Sequence, residues 1–388
     1  VINAPPGTWE ITRGHTGTSI REYMTVAARA AERAGVRVEI EADHLIIIGS
    51  QSAALRRLTG DHARSHIRPE ELERSLAYYR MCLDEAAQVG NLGCLTLDPS
   101  DLFWTRAERI PAAQVGELFA RRFPGAQGER LLSRYGRTWR FPAPGGEAVQ
   151  VSITQAQAMR LALKFADSLR VSRELYDYTR QVLGHERFSV EIALDETARP
   201  TSPRETLFWL AEAKAMGLPV HYVGPHLGFA KRVDYTGDLK LLERRARQHH
   251  AIAQGVCGAL LSIHSGDGSS PWSGKGPGVY EALVRGTGGE LKFKISDVYF
   301  ELLMGSEGRE LFERIFRAVE AYLREEAERG GPLATPLLAQ QLAEYDGRRR
   351  RRPDARAQFF RFHQFVALNL RAPDGRRYLR EAIIQFVR

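Results

Sequence analysis

The chain is 388 residues long, 43% hydrophobic and 26% charged, with a formal net charge of +8. That length buries a large core as one barrel plus an extension or as two domains, and the composition is ordinary for a globular protein. It holds no run of 18 apolar residues, which argues against a membrane-spanning helix, and its three scattered cysteines exclude a disulfide framework and a CxxC zinc site.

The opening Val1-Ile-Asn-Ala-Pro-Pro-Gly has neither an initiator Met nor the basic-then-apolar pattern of a secretory leader. It reads as a trimmed or incomplete cytoplasmic chain. A short strand is expected at Trp9–Thr12, and a helix over 18–34 capped by Thr18 or Ser19 and stopped by Gly35. Alternation in Val36–Ala42 predicts a strand with Val36, Val38 and Ile40 on one face and Glu39, Glu41 and Asp43 on the other. A helix over Pro69–Val89 and a strand over Asn91–Leu97 follow. Residues 102–150 loosen into a helix near 113–122 and an aromatic hairpin over 137–153, read as an insertion carried by one βα loop.

Regular alternation then resumes. Helices are expected over 154–183, 203–216 and 238–254. Strands are expected at Phe188–Leu194, up to Val223, at Cys257–Ile263 and at Leu291–Ile295. Beyond Ser296 the chain reads as helical, over 301–329, 332–345, 355–370 and 377–387. This pattern predicts an α/β fold with a parallel sheet, best matched by a (β/α)8 TIM-type barrel. A catalytic barrel would occupy residues 1–303 and a helical C-terminal extension residues 304–388.

Strand ends converge on one mouth of such a barrel. They supply Asp43 and His44, Asp98, Glu191 with Asp195 and Glu196, His221 and His226, His264, and Lys292 with Lys294. Histidines at equivalent positions on three strands, with carboxylates nearby, are the donor set for zinc or a similar divalent ion. Taken singly, each histidine also suits a hydrogen-bonded strand end, and His221 is as readily structural. His249-His250 reads as helix surface. Asp43 stands where it could exchange protons with a metal-bound substrate or simply hold a loop, and Asp98 suits an Asx turn equally well.

Glu191, inside an apolar strand, needs a metal or a lysine as partner. Lys294 suits either that pairing or a substrate's anionic end, and Lys231-Arg232 either an anion or solvent. The loop Gly266–Gly278 is rich in backbone donors and suits a polyol, but lacks the spacing of a nucleotide-binding loop. Arg348–Arg352 reads as a solvated linker rather than a nucleic-acid contact.

Several stretches resemble the tagaturonate epimerase family. They are Glu41-Ala-Asp-His44, Thr96-Leu-Asp-Pro-Ser-Asp101, Glu191-Ile-Ala-Leu-Asp-Glu-Thr197 with Pro200–Pro203, Lys231-Arg-Val-Asp-Tyr-Thr-Gly-Asp238 and Ser262-Ile-His-Ser-Gly266. The resemblance runs from about residue 36 to 303. It implies a metal-dependent epimerase of a ketohexuronate or ketohexose, of the tagaturonate/fructuronate type. The chain differs from the family pattern after Gly266 and at Ser296-Asp297, so the sugar itself is not assigned.

The layout is also similar to class II metal-dependent ketose aldolases. That likeness makes His44, His226 and His264 the metal ligands and Asp43 the proton carrier. Glu191 is then a fourth ligand, and Asp98 or Glu196 the proton partner on the opposite face. Lys294, Lys231, Ser262 and Asp267 become substrate contacts. The inverted carbon lies one bond beyond the carbon next to the carbonyl, so its proton is not acidic. Retro-aldol cleavage and re-addition therefore fits better than proton exchange, and an aldolase that releases its fragments is the alternative. The expected cofactor is a divalent ion, zinc first, with manganese, nickel or cobalt as substitutes. The expected partner is a small sugar or sugar acid, with no nucleic acid and no membrane, in a cytoplasmic protein that could assemble as a homo-oligomer.

Overall fold

Apolar alternation and well-placed caps lay the chain out as strands and helices in turn. The computed structural model describes residues 20–47, 67–269, 274–294, 308–348 and 352–387. Eight strands lie among them: β1 (Ile40–Ile46), β2 (Leu92–Asp98), β3 (Arg137–Phe141), β4 (Val149–Ile153), β5 (Ser189–Leu194), β6 (Tyr222–Pro225), β7 (Leu260–Ile263) and β8 (Leu291–Phe293). β3 and β4 pair antiparallel as the expected hairpin. The other six form one parallel sheet in chain order, β1-β2-β5-β6-β7-β8.

The helices preceding the last strand are α1 (Ile20–Ala34), α2 (Pro69–Val89), α3 (Ala112–Arg122), α4 (Ala126–Leu132), α5 (Gln155–Leu183), α6 (Pro203–Ala215), α7 (Leu239–Cys257) and α8 (Val279–Thr287). Their starts follow from local chemistry. Thr154 and Gln157 close a capping box at α5, Ser202 and Glu205 do so at α6 behind Pro203, and the Asp238 side chain accepts from Lys240 N–H at α7. The region inserted between β2 and α5 holds α3, α4 and the hairpin. Arg204 ties that hairpin to α6 by donating to Ser152 O at 2.8 Å.

Among the described residues six parallel strands are present, where a (β/α)8 barrel has eight, and β1 and β8 share no hydrogen-bonded ladder. Their side chains nonetheless meet. Lys292 Nζ lies 2.7 Å from Glu41 Oε2, and Lys294 Nζ lies 2.7 Å from Asp43 Oδ1. The sheet thus curls until ion pairs join its two ends. The short run Trp9–Thr12 lies outside the described residues.

Three local expectations are corrected. The first strand begins at Ile40, because Gly35 ends α1 with φ 63° and the next residues carry the chain to the sheet; Val36 and Val38 are exposed. Cys257 ends α7 instead of entering a strand, since the apolar run before it belongs to a helix buried on several sides, which periodicity cannot tell from a strand. His249 and His250 are buried, not surface residues. His249 Nδ1 lies 2.9 Å from Thr206 Oγ1 of α6, and burial lowers its pKa to about 4.

After the sheet come α9 (Arg309–Arg329), α10 (Pro336–Asp346), α11 (Gln358–His363) and α12 (Tyr378–Val387). The helix expected over 355–370 is instead α11 followed by a 3-10 turn at Gln364–Leu368. This region has a core of its own, with Phe316 stacked on Phe360 and edge-on to Phe359. The expected division at 303/304 lies outside the described residues. None of the described helices is long and apolar enough to cross a membrane.

Candidate active site and metal centre

Strand alternation sends one set of side chains into the curl of the sheet, and these sort into two layers. In the lower layer Glu191 of β5 is fully buried. Its Oε2 lies 2.8 Å from Lys292 Nζ, and its Oε1 lies 2.7 Å from both Lys294 Nζ and His264 Nε2. Glu41 adds a second carboxylate, 3.1 Å from Lys294 Nζ and hydrogen-bonded by Thr96 Oγ1. Burial opposes ionisation of Glu191, but His264, Lys294 and Lys292 outweigh it and hold its carboxyl well below the usual range. The lysine anticipated for Glu191 is therefore present twice over. Removing that compensation would leave a charge in the interior at a cost of several kcal/mol.

The upper layer carries the histidines. His44 sits at a bulge between β1 and β2 with φ 53°, a conformation that costs about 1 kcal/mol outside glycine and recurs at functional sites. Its Nδ1 lies 3.2 Å from Asp98 Oδ2 and its Nε2 3.6 Å from Asp43 Oδ1. The rings of His44 and His264 meet edge-on with centroids 5.0 Å apart. His264 follows β7, and Gly224 of β6 makes room for it. A Cβ at Gly224 would stand 2.6 Å from His264 Nε2.

Burial works against the charged form of His264, but Asp195 and Glu191 outweigh both it and Lys294, and the pKa is pushed up to about 10. Burial likewise opposes ionisation of Asp43, and His44 and Lys294 more than offset it, holding that carboxyl below its ordinary value.

Beside these rings lies a cavity of about 450 Å³ lined by Asp195, Glu196, His226, Lys231 and His264 among others. Three buried atoms there have no hydrogen-bond partner: His226 Nδ1, His264 Nδ1 and Asp195 Oδ1. The last two are 3.0 Å apart without the alignment of a hydrogen bond. Two imidazole nitrogens and a carboxylate oxygen lining one cavity are donor types that suit a divalent cation, although the three do not converge to within 4.8 Å of one another.

A tighter group of donors lies below. Glu41, Cys94 and Glu191 bring ligand atoms within 4.8 Å of one another, as His44, His226 and His264 do not among the described residues. This trio forms a metal-capable cluster. However, two ammonium groups already bridge its carboxylates, and burial with both carboxylates nearby pushes the Cys94 thiol up. Its charges are thus balanced within the protein.

The remaining expected residues fall as follows. Asp98 is buried, with Oδ2 3.2 Å from His44 Nδ1 and Oδ1 accepting from Ser100 N–H at 3.3 Å in the manner of an Asx turn. Lys231 pairs with Glu196 at 2.7 Å on the cavity wall. Ser262 is buried in register with Lys292, its Oγ without a hydrogen-bond partner. Asp267 is buried beside Arg361, with Oδ2 3.5 Å from its Nη2. His221 stands at the opposite end of β6, its Nδ1 accepting from Val190 N–H at 3.0 Å. His226 Nε2 lies 3.3 Å from Phe229 O.

The sequence placed Asp195 at the mouth without assigning it a role, and Gly224 was passed over although a glycine within an apolar strand is a signal. Nothing in the sequence pointed to Leu337 and Phe362, which reach the same cavity from the helical region.

The model of one family, described as tagaturonate epimerase, matches residues 81–328. The curated tagaturonate/fructuronate epimerase of Thermotoga maritima is 32% identical over 160 residues, covering 39% of this chain and 31% of that protein. The match thus spans about a third of the relative's length. A glycerol-complexed crystal structure of the fructuronate-tagaturonate epimerase UxaE from Cohnella laeviribosi aligns with a TM-score of 0.65 at 21% identity, covering 99% of this chain and 74% of that one. The native crystal structure of the same enzyme aligns at 0.58 and 19%, covering 89% and 76%. These likenesses show a shared fold. With more than half of its length matched by the family model, the chain belongs to the tagaturonate epimerase family.

Proposed function

We propose that this protein interconverts tagaturonate and fructuronate by inverting one hydroxyl-bearing carbon of the ketouronate chain, on a sheet curled as a (β/α)8-type barrel. A divalent metal would be held by His226 and His264, with His44 adjoining and Asp195 as the carboxylate donor. Glu191, bonded to His264 Nε2, would then orient that ring rather than ligate. When bound, such an ion supplies positive charge beside the substrate's ketone and hydroxyl oxygens. The observation that carries this reading is that His226 Nδ1, without a hydrogen-bond partner, and the His264 Nδ1–Asp195 Oδ1 pair at 3.0 Å line one cavity in a chain of this family.

The residues present suit retro-aldol chemistry. Asp43, held ionised beside His44 and Lys294, takes the proton from the hydroxyl on the carbon to be inverted. The bond between that carbon and its neighbour towards the ketone breaks, leaving an enediolate and an aldehyde. The aldehyde turns its other face, the bond re-forms, and a proton returns to the oxygen from the opposite side. Asp98, through His44, and Glu196, across the cavity, are the groups for that return. Lys231 holds the carboxylate end, because Lys294 is already engaged by three acids.

Elemental analysis of wild type and His264→Ala, coupled to NMR of tagaturonate incubations, tests the reading. Wild type should carry about one equivalent of metal and yield fructuronate, and His264→Ala should lose both by a large factor. Full metal and activity in His264→Ala would sink it. Accumulating three-carbon products without the epimer would mark an aldolase instead.

A further inference from the structure

Two loops border the cavity, one running from His226 to Asp238 after β6 and one following His264 after β7. Both are gripped from the helical C-terminal region. Arg361 of α11 is buried, and its Nη1 donates to Arg232 O at 2.9 Å and Gly268 O at 2.6 Å. Gln358 Nε2, one turn earlier, donates to Arg232 O at 3.2 Å. The Arg232 guanidinium in turn lies 4.9 Å from the centre of the Phe362 ring. Arg361 thereby ties the backbone of one loop to that of the other, and the next residue, Phe362, is delivered to the cavity. There Phe362 and Leu337, like Leu227 and Phe229, bring apolar surface to a cavity also lined by Asp195, His226, Lys231 and His264.

A ketouronate combines the same two kinds of surface. Its hydroxyls and carboxylate need fixed polar partners, and its C–H face is apolar. Binding pockets combine an apolar or aromatic wall with a few placed polar groups for this reason. Resting on the function proposed above, we infer that Phe362 is a specificity-determining residue. It packs on the C–H face of the substrate, and Arg361 holds it in place. The helical region is then part of the binding site, although its apolar core is separate from that of the sheet.

The test uses the full chain loaded with metal. Tagaturonate binding is read by saturation-transfer NMR and turnover by product NMR, for wild type, Phe362→Leu and Leu337→Ala. Phe362→Leu keeps an apolar side chain but loses the flat ring, so KM should rise roughly tenfold while kcat stays within about twofold and metal content is unchanged. Leu337, only partly buried, can be shortened without endangering the fold, and Leu337→Ala should raise KM in the same sense. Unchanged KM in Leu337→Ala and in any folded Phe362→Leu overturns the inference, as does a fall in kcat at constant KM. A wild type that binds and converts tagaturonate while the variants match it rejects the wall alone. A wild type that does neither rejects the function and the wall together.

Discussion

Gly224→Ala isolates the placement of one ring. Gly224 does not have a positive φ, so alanine is free to adopt its backbone conformation, and the nearest atoms to the added methyl all belong to the His264 imidazole. That methyl would stand 2.6 Å from Nε2 and 2.9 Å from Cδ2 and Cε1. Ordinary contact is about 3.5 Å, so the ring must retreat by roughly 0.9 Å. It cannot do so and keep its 2.7 Å bond to Glu191. Overpacking of this kind costs about 1–3 kcal/mol of stability, and a misplacement near 1 Å costs about a hundredfold in rate.

The expected outcome is a folded protein with a modestly lowered melting temperature, near-native circular dichroism, and kcat down about a hundredfold in an NMR epimerisation assay. Gly93→Ala is the control, because its methyl would meet the side chain of exposed Glu39, which can swing away. Wild-type kcat in Gly224→Ala, or an equal loss in Gly93→Ala, would refute the reasoning.

Other perturbations reach the interior charges. Lys294→Met removes a cation shared by Glu41, Asp43 and Glu191 and should cost about 3 kcal/mol in urea unfolding; adding Glu191→Gln should restore part of it, and no restoration would show that the pair is not coupled. Stability should also fall on the acid side. Burial lowers the pKa of both His249 and His363 to about 4, so between pH 6.5 and 4 the unfolded chain binds protons that the folded one does not. Each ring contributes up to about 3 kcal/mol of that loss, and His249→Gln should flatten the decline of unfolding free energy between pH 7 and 4.5; a slope identical to wild type would count against it. In the metal-free protein His264 acts in the other direction, because its folded pKa is raised to about 10 by Asp195 and Glu191. Its contribution is complete below pH 6.5 and is lost as pH rises through 10, which the same titration carried to pH 10.5 should reveal.

Much of the sheet was legible because strand alternation and caps are local signals. Pro69, Thr154, Ser202 and Asp238 mark helix starts that the chain uses. The mouth was legible too, since Asp43, Asp98, Glu191, His226 and His264 follow from the ends and inner faces of the strands. His249 was misjudged although a signal existed. It shares the helical spacing of Leu242, Ala246, Ala253 and Val256, all buried on the same face. The positive φ of His44, the cradle at Gly224 and the grip of Arg361 depend on neighbours far away in sequence, and no local pattern encodes them. The six strands of the parallel sheet were legible as six apolar runs, but sequence spacing encodes alternation and not whether the sheet closes.

The stitch between the two ends of the sheet constrains when this interior can exist. Lys292 and Lys294 are each 251 positions from an acid they meet on the first strand, Glu41 and Asp43 respectively. Closing so long a loop carries a large entropic penalty and comes late in folding. On the ribosome, Glu41, Asp43 and Glu191 are made long before either lysine emerges, and until then they must stay hydrated or protonated. A nascent chain halted before residue 292 should therefore hold its first strand loosely, open to proteases and exchanging its amide hydrogens quickly. The chemistry-bearing end of the molecule would then lock only as the tail of the sheet arrives.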